Sequence, residues 1–497
     1  MKRLGLWLIA VAALIGSSFA PLQAQEDGRQ LNILWIIAED MGPDLGYFDV
    51  PQASTPNMDA LAKESMVFTR AFSTAPICSI SRSAFVTGMY ATSIGAHQHR
   101  TPQARKQPLP EGVQLLTHRL EAAGYSTALL LGLAPQGEEE VYPGSAKTDW
   151  NFLPGRKPYQ LDNLNSLKDQ QPFFAQVQYQ ETHRGGHWDD ASSMIERRAD
   201  PRKVALPSYY QDTPLARGEW ATYLDNVALF DRKVGYVMKR LRDEGLDKNT
   251  VVILFADHGR AMPRAKQWLW DSGLHVPLLI RWPEGYEPPE NFAVGKTDQL
   301  VSLIDVTATT LQIAGIEPPL LMQGRPIFGA GAKPHTMLFA HRDRADETVD
   351  RIRTVRDERF RYIRNYMTER PYSQQNLYKE TSYPMLREMF RMHRDGLLSG
   401  PPALFMQPTR PAEELYDTLA DPDNVNNLAA DPAYAQIRLR LAGALDAWIE
   451  TSNDQGEIPE PPEVAEAINR QMTEKLHDEI AGIIAREGSW REDLAKP

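Results

Sequence analysis

Apolar residues in this chain gather into short, nearly unbroken runs instead of alternating with polar ones. Leu31-Asn32-Ile33-Leu34-Trp35-Ile36-Ile37, Ala128-Leu129-Leu130-Leu131, Phe173-Phe174-Ala175-Gln176-Val177, Val251-Val252-Ile253-Leu254-Phe255 and Pro277-Leu278-Leu279-Ile280 are five such runs. They read as buried strands of a largely parallel sheet, because a strand covered on both faces needs no polar side. Helical spacing fills the gaps, most clearly over residues 218–244, where Trp220, Leu224, Val227, Phe230, Val234, Val237 and Leu241 recur as core positions. Strands alternating with helices predict an α/β sandwich, a large mostly parallel sheet between helices. From about His341 the pattern changes. Thr354-Val355-Arg356-Asp357 and Phe360-Arg361-Tyr362-Ile363-Arg364 predict antiparallel strands joined by a short turn, and residues 434–449 predict a helix. The run Ile458-Pro459-Glu460-Pro461-Pro462 then separates a helical tail.

The first residues read as an export signal. Lys2 and Arg3 precede an apolar stretch over residues 4–15, and small residues lead to Ala24, the expected cleavage point, since Pro21 obstructs cleavage after Ala20. No later apolar run is long enough to span a bilayer, so a soluble, periplasmic or secreted protein is expected. Loss of Lys2 and Arg3 takes the formal charge from −11 to −13. Such an acidic chain is a poor general partner for nucleic acid or an anionic membrane, and an anionic substrate must meet a local basic pocket. The 497 residues, 42% of them hydrophobic, accommodate one large α/β unit and a smaller one. The expected division is signal peptide 1–24, catalytic domain 25–340, smaller C-terminal subdomain 341–457 and helical tail 458–497.

Candidate chemistry starts from a single thiol. Cys78 is the only cysteine, in Pro76-Ile77-Cys78-Ser79-Ile80-Ser81-Arg82-Ser83, followed by Ala84-Phe85-Val86-Thr87-Gly88. It has no disulfide partner, and a small buried apolar role is the plain alternative to reactivity. Two predicted strands end in acid: the first runs into Ala38-Glu39-Asp40-Met41-Gly42, the fourth into Ala256-Asp257-His258-Gly259. In an open parallel sheet, ligands gather beyond the carboxyl ends of strands, so these acids can converge on one ion. Each is also compatible with an ordinary turn or helix cap.

Cys-x-x-Ser-Arg followed by Thr-Gly resembles the signature of the type I sulfatases, members of the alkaline-phosphatase-like superfamily. The similarity extends to Ser54-Thr55-Pro56-Asn57-Met58-Asp59, Lys147-Thr148-Asp149-Trp150-Asn151-Phe152, Thr182-His183, Leu269-Trp270-Asp271-Ser272-Gly273, Ala340-His341-Arg342-Asp343-Arg344 and Glu413-Glu414-Leu415-Tyr416-Asp417. Within the family it is similar in particular to the bacterial branch of heparan N-sulfatase or N-sulfoglucosamine sulfohydrolase type. The resemblance implies an alkaline-phosphatase-like sandwich and hydrolysis of sulfate esters or sulfamates of a sulfated oligosaccharide or polysaccharide. It implies that a maturation enzyme oxidises Cys78 to formylglycine, whose hydrate is the nucleophile.

It further implies metal ligation by Glu39, Asp40, Asp257 and His258. Calcium is favoured by the resemblance, while the imidazole of His258 leaves manganese and zinc open. Arg82 is expected to hold the formylglycine hydrate and Lys147 to bind sulfate, although a solvated loop lysine remains the alternative. The Gly-Lys-x-His segment of many sulfatases is replaced here by Gly132-Leu133-Ala134-Pro135. His183 and Lys266 match residues that contact sulfate; either could protonate the departing amine or alkoxide. His99 and Arg100, with His341 and Arg342, are assigned to substrate recognition; a His97-Gln98-His99 pair on a loop is more often substrate-facing or structural than a second metal site.

In the implied reaction, one hydroxyl of the hydrate attacks sulfur and the sugar departs with a proton. Loss of a proton from the second hydroxyl then expels sulfate and restores the aldehyde. One position departs from the family: Ile80 stands where the maturation machinery reads Pro or, in anaerobic systems, Ala. Two other readings stay open, a phosphodiesterase or phosphonate monoester hydrolase of the same superfamily, and a non-catalytic sulfated-glycan-binding protein with unmodified Cys78.

Overall fold

A computed structural model describes residues 30–131, 133–135, 147–185 and 188–491. The expected signal peptide lies outside the described residues. The apolar runs form strands β1 (Asn32–Ala38), β3 (Ser126–Leu129), β4 (Phe173–Tyr179), β5 (Thr250–Ala256) and β6 (Leu278–Arg281). Two more, β2 (Ser65–Phe72) and β7 (Gly295–Ser302), join them in the order β7-β2-β6-β5-β1-β4-β3, and the two-residue strand His275–Val276 pairs with β2. β5, β1, β4 and β3 are mutually parallel, as are β7 and β2. β6 runs antiparallel to both its neighbours, so the fifth predicted strand is present but reversed.

The continuous apolar pattern follows from burial on both faces. On one face, Trp35 of β1 meets Phe85, Phe174 and Phe255 edge-on at 6.0, 5.1 and 5.3 Å, and its indole N–H donates to Thr310 Oγ1 at 3.0 Å. Helices α1 (Cys78–Phe85) and α3 (Leu303–Ile313) carry Phe85 and Thr310. The opposite face meets α2 (Pro214–Asp243), whose Phe230 lies 6.1 Å from Tyr179 of β4. Thr213 caps α2 by accepting from the amide of Ala216, and Pro214 occupies the first turn, where its missing N–H costs nothing.

A second, antiparallel sheet has the order β8 (Leu338–Arg342), β9 (Ile352–Arg356), β10 (Phe360–Asn365), β11 (Glu413–Asp417). Between β10 and β11 the chain forms the short helix α4 (Leu377–Ser382), and after the sheet come α5 (Ala435–Thr451) and α6 (Pro462–Glu487). α6 lays Val464, Ile468 and Met472 on Leu377 of α4, a small apolar cluster separate from the main core. The register that pairs Ala38 with Ala256 brings β1 and β5 to the same level at their carboxyl ends. Asp40 and Asp257 follow just beyond that point.

Candidate active site

Asp40 and Asp257 meet because their strands end together. The Asp40 amide donates to Asp257 Oδ1 at 3.0 Å and the Asp257 amide donates to the carbonyl of Ala38 at 3.1 Å. Asp40 adopts a left-handed conformation, φ 55°, uncommon for a residue with a Cβ and a sign that the chain is bent sharply at the strand end. Gly259 follows the pair because nothing larger fits: a Cβ there would lie 2.3 Å from the carbonyl oxygen of Ser272.

His258 Nδ1 lies 2.9 Å from the Gly259 carbonyl, which can only accept, so Nδ1 carries a proton. Nε2 faces Asp40 Oδ1 at 3.0 Å and Cys78 Sγ at 3.2 Å. A ring nitrogen that close to a carboxylate oxygen is bridged by a proton, or by a metal ion when one is bound. The fit is good: ligand atoms of Asp40, Cys78, Asp257 and His258 lie within 4.8 Å of one another, as do those of Glu39, Asp40, Cys78 and His183. Both carboxylate oxygens of buried Glu39 lack a hydrogen bond, although its charge pairs with the Lys147 ammonium. Three carboxylates and an imidazole are a donor set for a hard or borderline divalent ion.

Cys78 opens α1, and Arg82 follows one turn later on the same side. Arg82 Nε donates to Asp257 Oδ2 at 3.0 Å, Nη1 to Gln178 Oε1, and the buried Nη2 has no partner. The serines of the motif are structural: Ser81 Oγ donates to the Asp257 carbonyl at 2.5 Å, and Ser83 Oγ accepts from the Asn151 amide at 3.0 Å. Asn151 Nδ2 also donates to Ser79 Oγ at 3.1 Å and to the Ala96 carbonyl at 3.0 Å, strapping the Lys147 segment to α1. Ile80 points into the core and is wholly buried.

Charges are balanced tightly here. Burial alone would raise the Asp40 carboxyl, yet Lys266 first and then His258 outweigh it and hold it well below the usual range. The same contest, with His258 and Arg82 opposing burial, keeps Asp257 low. Burial opposes the charge on Lys266, but Asp40, accepting from Nζ at 2.6 Å, pushes its pKa well up. His183 goes the other way, pulled well down by burial and then by Lys266. Burial, then the Asp40 carboxylate, drives the Cys78 thiol far above its ordinary pKa. As a thiol it is a protonated, poor nucleophile.

Nine of the thirteen residues singled out from sequence thus share one centre: Glu39, Asp40, Cys78, Arg82, Lys147, His183, Asp257, His258 and Lys266. The four recognition candidates are placed differently. His99 Nδ1 and Arg100 Nε approach Asp346 Oδ1 at 3.4 and 3.1 Å, with Arg100 exposed. His341 is enclosed, its Nδ1 3.2 Å from Asp343 Oδ2, and Arg342 is enclosed over Trp268, 3.2 Å from Asp350. Three further residues belong to the centre. Gln178 accepts from Arg82, Thr182 Oγ1 donates to the Glu39 carbonyl, and the Tyr378 ring stacks 6.1 Å from His183 and lies 5.4 Å from Lys266 Nζ. Gln178 had a signal, a polar residue inside a strand buried on both faces; Tyr378 had none.

A doubly covered sheet that carries carboxylates, buried cations and a potential nucleophile at its strand ends defines a hydrolytic enzyme for anionic esters. Residues 31–316 match the sulfatase family profile, and residues 263–393 match that of N-sulphoglucosamine sulphohydrolase, C-terminal. The chain belongs to the sulfatase family and is a sulfuric ester hydrolase. An ulvan-active sulfatase of Formosa agariphila is 31% identical over 487 residues, covering 88% of this chain and 77% of that protein. The N-sulphoglucosamine sulphohydrolase of Homo sapiens is 28% identical, covering 91% and 96%. In fold, the chain is similar to a 2-O GAG sulfatase (TM-score 0.61, 18% identity, 87% and 94% covered). It is also similar to a phosphonate monoester hydrolase of Agrobacterium radiobacter (TM-score 0.57, 18% identity, 85% and 96% covered). Among the described residues no helix is long and apolar enough to cross a membrane.

Proposed function

We propose that this is an exported sulfatase that hydrolyses sulfate esters or sulfamates of a sulfated carbohydrate, using formylglycine made from Cys78 and a divalent metal, calcium by preference. The observation that carries this reading is the position of Cys78 Sγ, 3.4 Å from Asp40 Oδ1 and 3.2 Å from His258 Nε2, at the centre of the ring of charged groups. The relatives, an ulvan-active sulfatase and an N-sulphoglucosamine sulphohydrolase, support a glycan substrate. We divide the chain for this purpose into a signal peptide over 1–24, a catalytic domain over 25–340, a smaller subdomain over 341–457 and a tail over 458–497.

Glu39, Asp40, Asp257 and His258 would hold the metal. Converted and loaded, the site would supply a hydrated aldehyde as nucleophile and a divalent charge to draw electron density from a sulfate oxygen. The chain's own groups do the rest. The free Nη2 of Arg82 and the ammonium groups of Lys147 and Lys266 face the position of the sulfate and offset its charge. Lys266 carries a proton in the substrate-free site whereas His183 is neutral, so Lys266 is the group first able to protonate a departing oxygen or nitrogen. His99 and Arg100, fixed through Asp346, face the sugar.

Production in a host with a formylglycine-generating enzyme, followed by mass spectrometry of the tryptic peptide over residues 71–82, measures conversion at Cys78. The converted protein is then assayed on O-sulfated and N-sulfated oligosaccharides and on a matched phosphate ester. Sulfate release that tracks the converted fraction is expected. Full conversion with no sulfate release, or preference for the phosphate ester, overturns the reading.

A further inference from the structure

Arg344 closes the motif Ala340-His341-Arg342-Asp343-Arg344, just past β8, and is 1% exposed. All three of its guanidinium nitrogens are engaged. Nη1 donates to the carbonyls of His99 and Asp346 at 2.7 and 2.6 Å, while Nε and Nη2 donate to the carboxylate of Glu460 at 2.5 and 3.3 Å. Its backbone joins the same neighbours, the amide donating to Gln98 Oε1 at 2.9 Å and the carbonyl accepting from the His99 amide at 3.0 Å. One buried side chain therefore ties the segment of His99 and Arg100 to Asp346 and to the start of the tail.

The geometry being held is not one the chain adopts freely. Arg100 and Asp346 both have φ of 52°, in the left-handed region, which persists in residues with a Cβ only where the surroundings fix it. Asp346 sits in a turn closed by two backbone bonds of 2.9 Å between Ala345 and Thr348. From there it meets His99 Nδ1 through its amide at 3.3 Å and its Oδ1 at 3.4 Å, and Arg100 Nε through Oδ1 at 3.1 Å. The tail lies along the same stretch. The Gln455 amide and Nε2 donate to the carbonyls of Thr92 and Ser93 at 3.2 and 3.0 Å, and Glu463 and Met472 of α6 approach Arg105 and Arg100 at 3.7 and 3.5 Å. Pro459 and Pro461 flank Glu460 and restrict the backbone on both sides, so its carboxylate is presented by a stiff segment. Among the described residues Glu460 is the carboxylate within ion-pair distance of Arg344, and without it a buried guanidinium loses its counter-charge.

We propose that Glu460, acting through Arg344, is a positioning residue for sugar recognition: it fixes the segment that carries His99 and Arg100 against Asp346. The proposal rests on the reading that His99 and Arg100 meet the sugar. Glu460 touches neither the sulfate position nor the reacting atoms, so its effect falls on binding of the sugar and not on the chemical step. The residues just before α6 thereby belong to the mouth of the site, although they follow the catalytic motifs by a long stretch of chain.

The test uses the full mature chain, converted at Cys78, and the O- or N-sulfated oligosaccharide that the wild type hydrolyses. Glu460→Gln is expected to raise KM about tenfold and to leave kcat within about twofold, the signature of lost binding without lost chemistry. Glu460→Asp, with the same charge on a shorter arm, should raise KM by less and serves where Glu460→Gln does not fold. A cycle with His99→Ala/Arg100→Ala supplies the decisive comparison: once the recognition pair is gone, Glu460→Gln should raise KM no further. If the Glu460 variants leave KM unchanged while His99→Ala/Arg100→Ala raises it, the positioning role is overturned and the recognition reading stands. If His99→Ala/Arg100→Ala also leaves KM unchanged, both fall. A fall in kcat at unchanged KM, or an undiminished effect of Glu460→Gln in the cycle, would place the action of Glu460 elsewhere and overturn the proposal.

Discussion

Arg82 shows how much a single side chain is asked to do. Its guanidinium spans Asp257 through Nε and Gln178 through Nη1 and keeps Nη2 for a ligand. Lysine has the same charge but no planar fork, so Arg82→Lys cannot hold these three directions together. We expect kcat on a sulfated substrate to fall by about a hundredfold or more, and an unchanged kcat would remove Arg82 from the reaction. Cys78 gives a second prediction. The side chain is 4% exposed and its thiol pKa is driven up by burial and Asp40. Any unconverted fraction is therefore protonated at neutral and mildly alkaline pH. Iodoacetamide should label it only after denaturation, as read by intact mass; fast labelling of the folded protein would show the thiol to be open and ionised.

At the scale of elements, legibility in sequence followed burial. β1, β4 and β5 are buried along their whole length and stand out as apolar runs, and the acid ends of β1 and β5 were visible where those runs stop. β2 and β7 were not readable: Ser-Met-Val-Phe-Thr-Arg-Ala-Phe carries polar residues mid-strand, and Gly-Lys-Thr-Asp-Gln-Leu-Val-Ser lies at the sheet edge, where Lys296 and Asp298 face water and only the last three residues are buried. Tyr378 escaped because a short helix brings it to the centre, and no periodicity marks such a position. The Ser-rich cysteine motif, by contrast, is explained only by its neighbour. Asn151 is 2% exposed and ties Ser79, Ser83 and the Ala96 carbonyl to the segment that carries Lys147. Asn151→Ala leaves the Ser79 hydroxyl and the Ala96 carbonyl without that donor, a cost of about 1–3 kcal/mol. Denaturant unfolding should register that loss, together with weaker substrate binding as the Lys147 segment loosens; stability equal to wild type would show the strap to be dispensable.

Across the whole molecule, the site is closed by parts that are far apart in the chain and unequal in strength. The main core runs through both sheets, whereas α6 meets α4 through the small cluster of Leu377, Val464, Ile468 and Met472; Trp490 and Arg491, just after α6, bond Glu380 of α4 at 3.0 Å, and Glu487 pairs with Arg387 and Arg391 beyond α4 at 2.9 and 3.1 Å. α4 in turn carries Tyr378, which flanks His183 and Lys266. A contact this small is a separate unit of stability that can open while the rest stays folded. Ile468 is 6% exposed at its middle. Ile468→Asp removes the apolar burial and encloses an unpaired carboxylate, a loss of about 3 kcal/mol or more, enough to release α6. The α/β body should keep its melting temperature, since its own core is untouched. Limited proteolysis should then cut the tail selectively, and kcat/KM should fall as α4 and Tyr378 lose their backing. If the tail is cleaved but kcat/KM is unchanged, α4 is held by the body alone and the tail has no part in shaping the site. If neither changes, the polar pairs at Glu487 and Glu380 outweigh the apolar cluster.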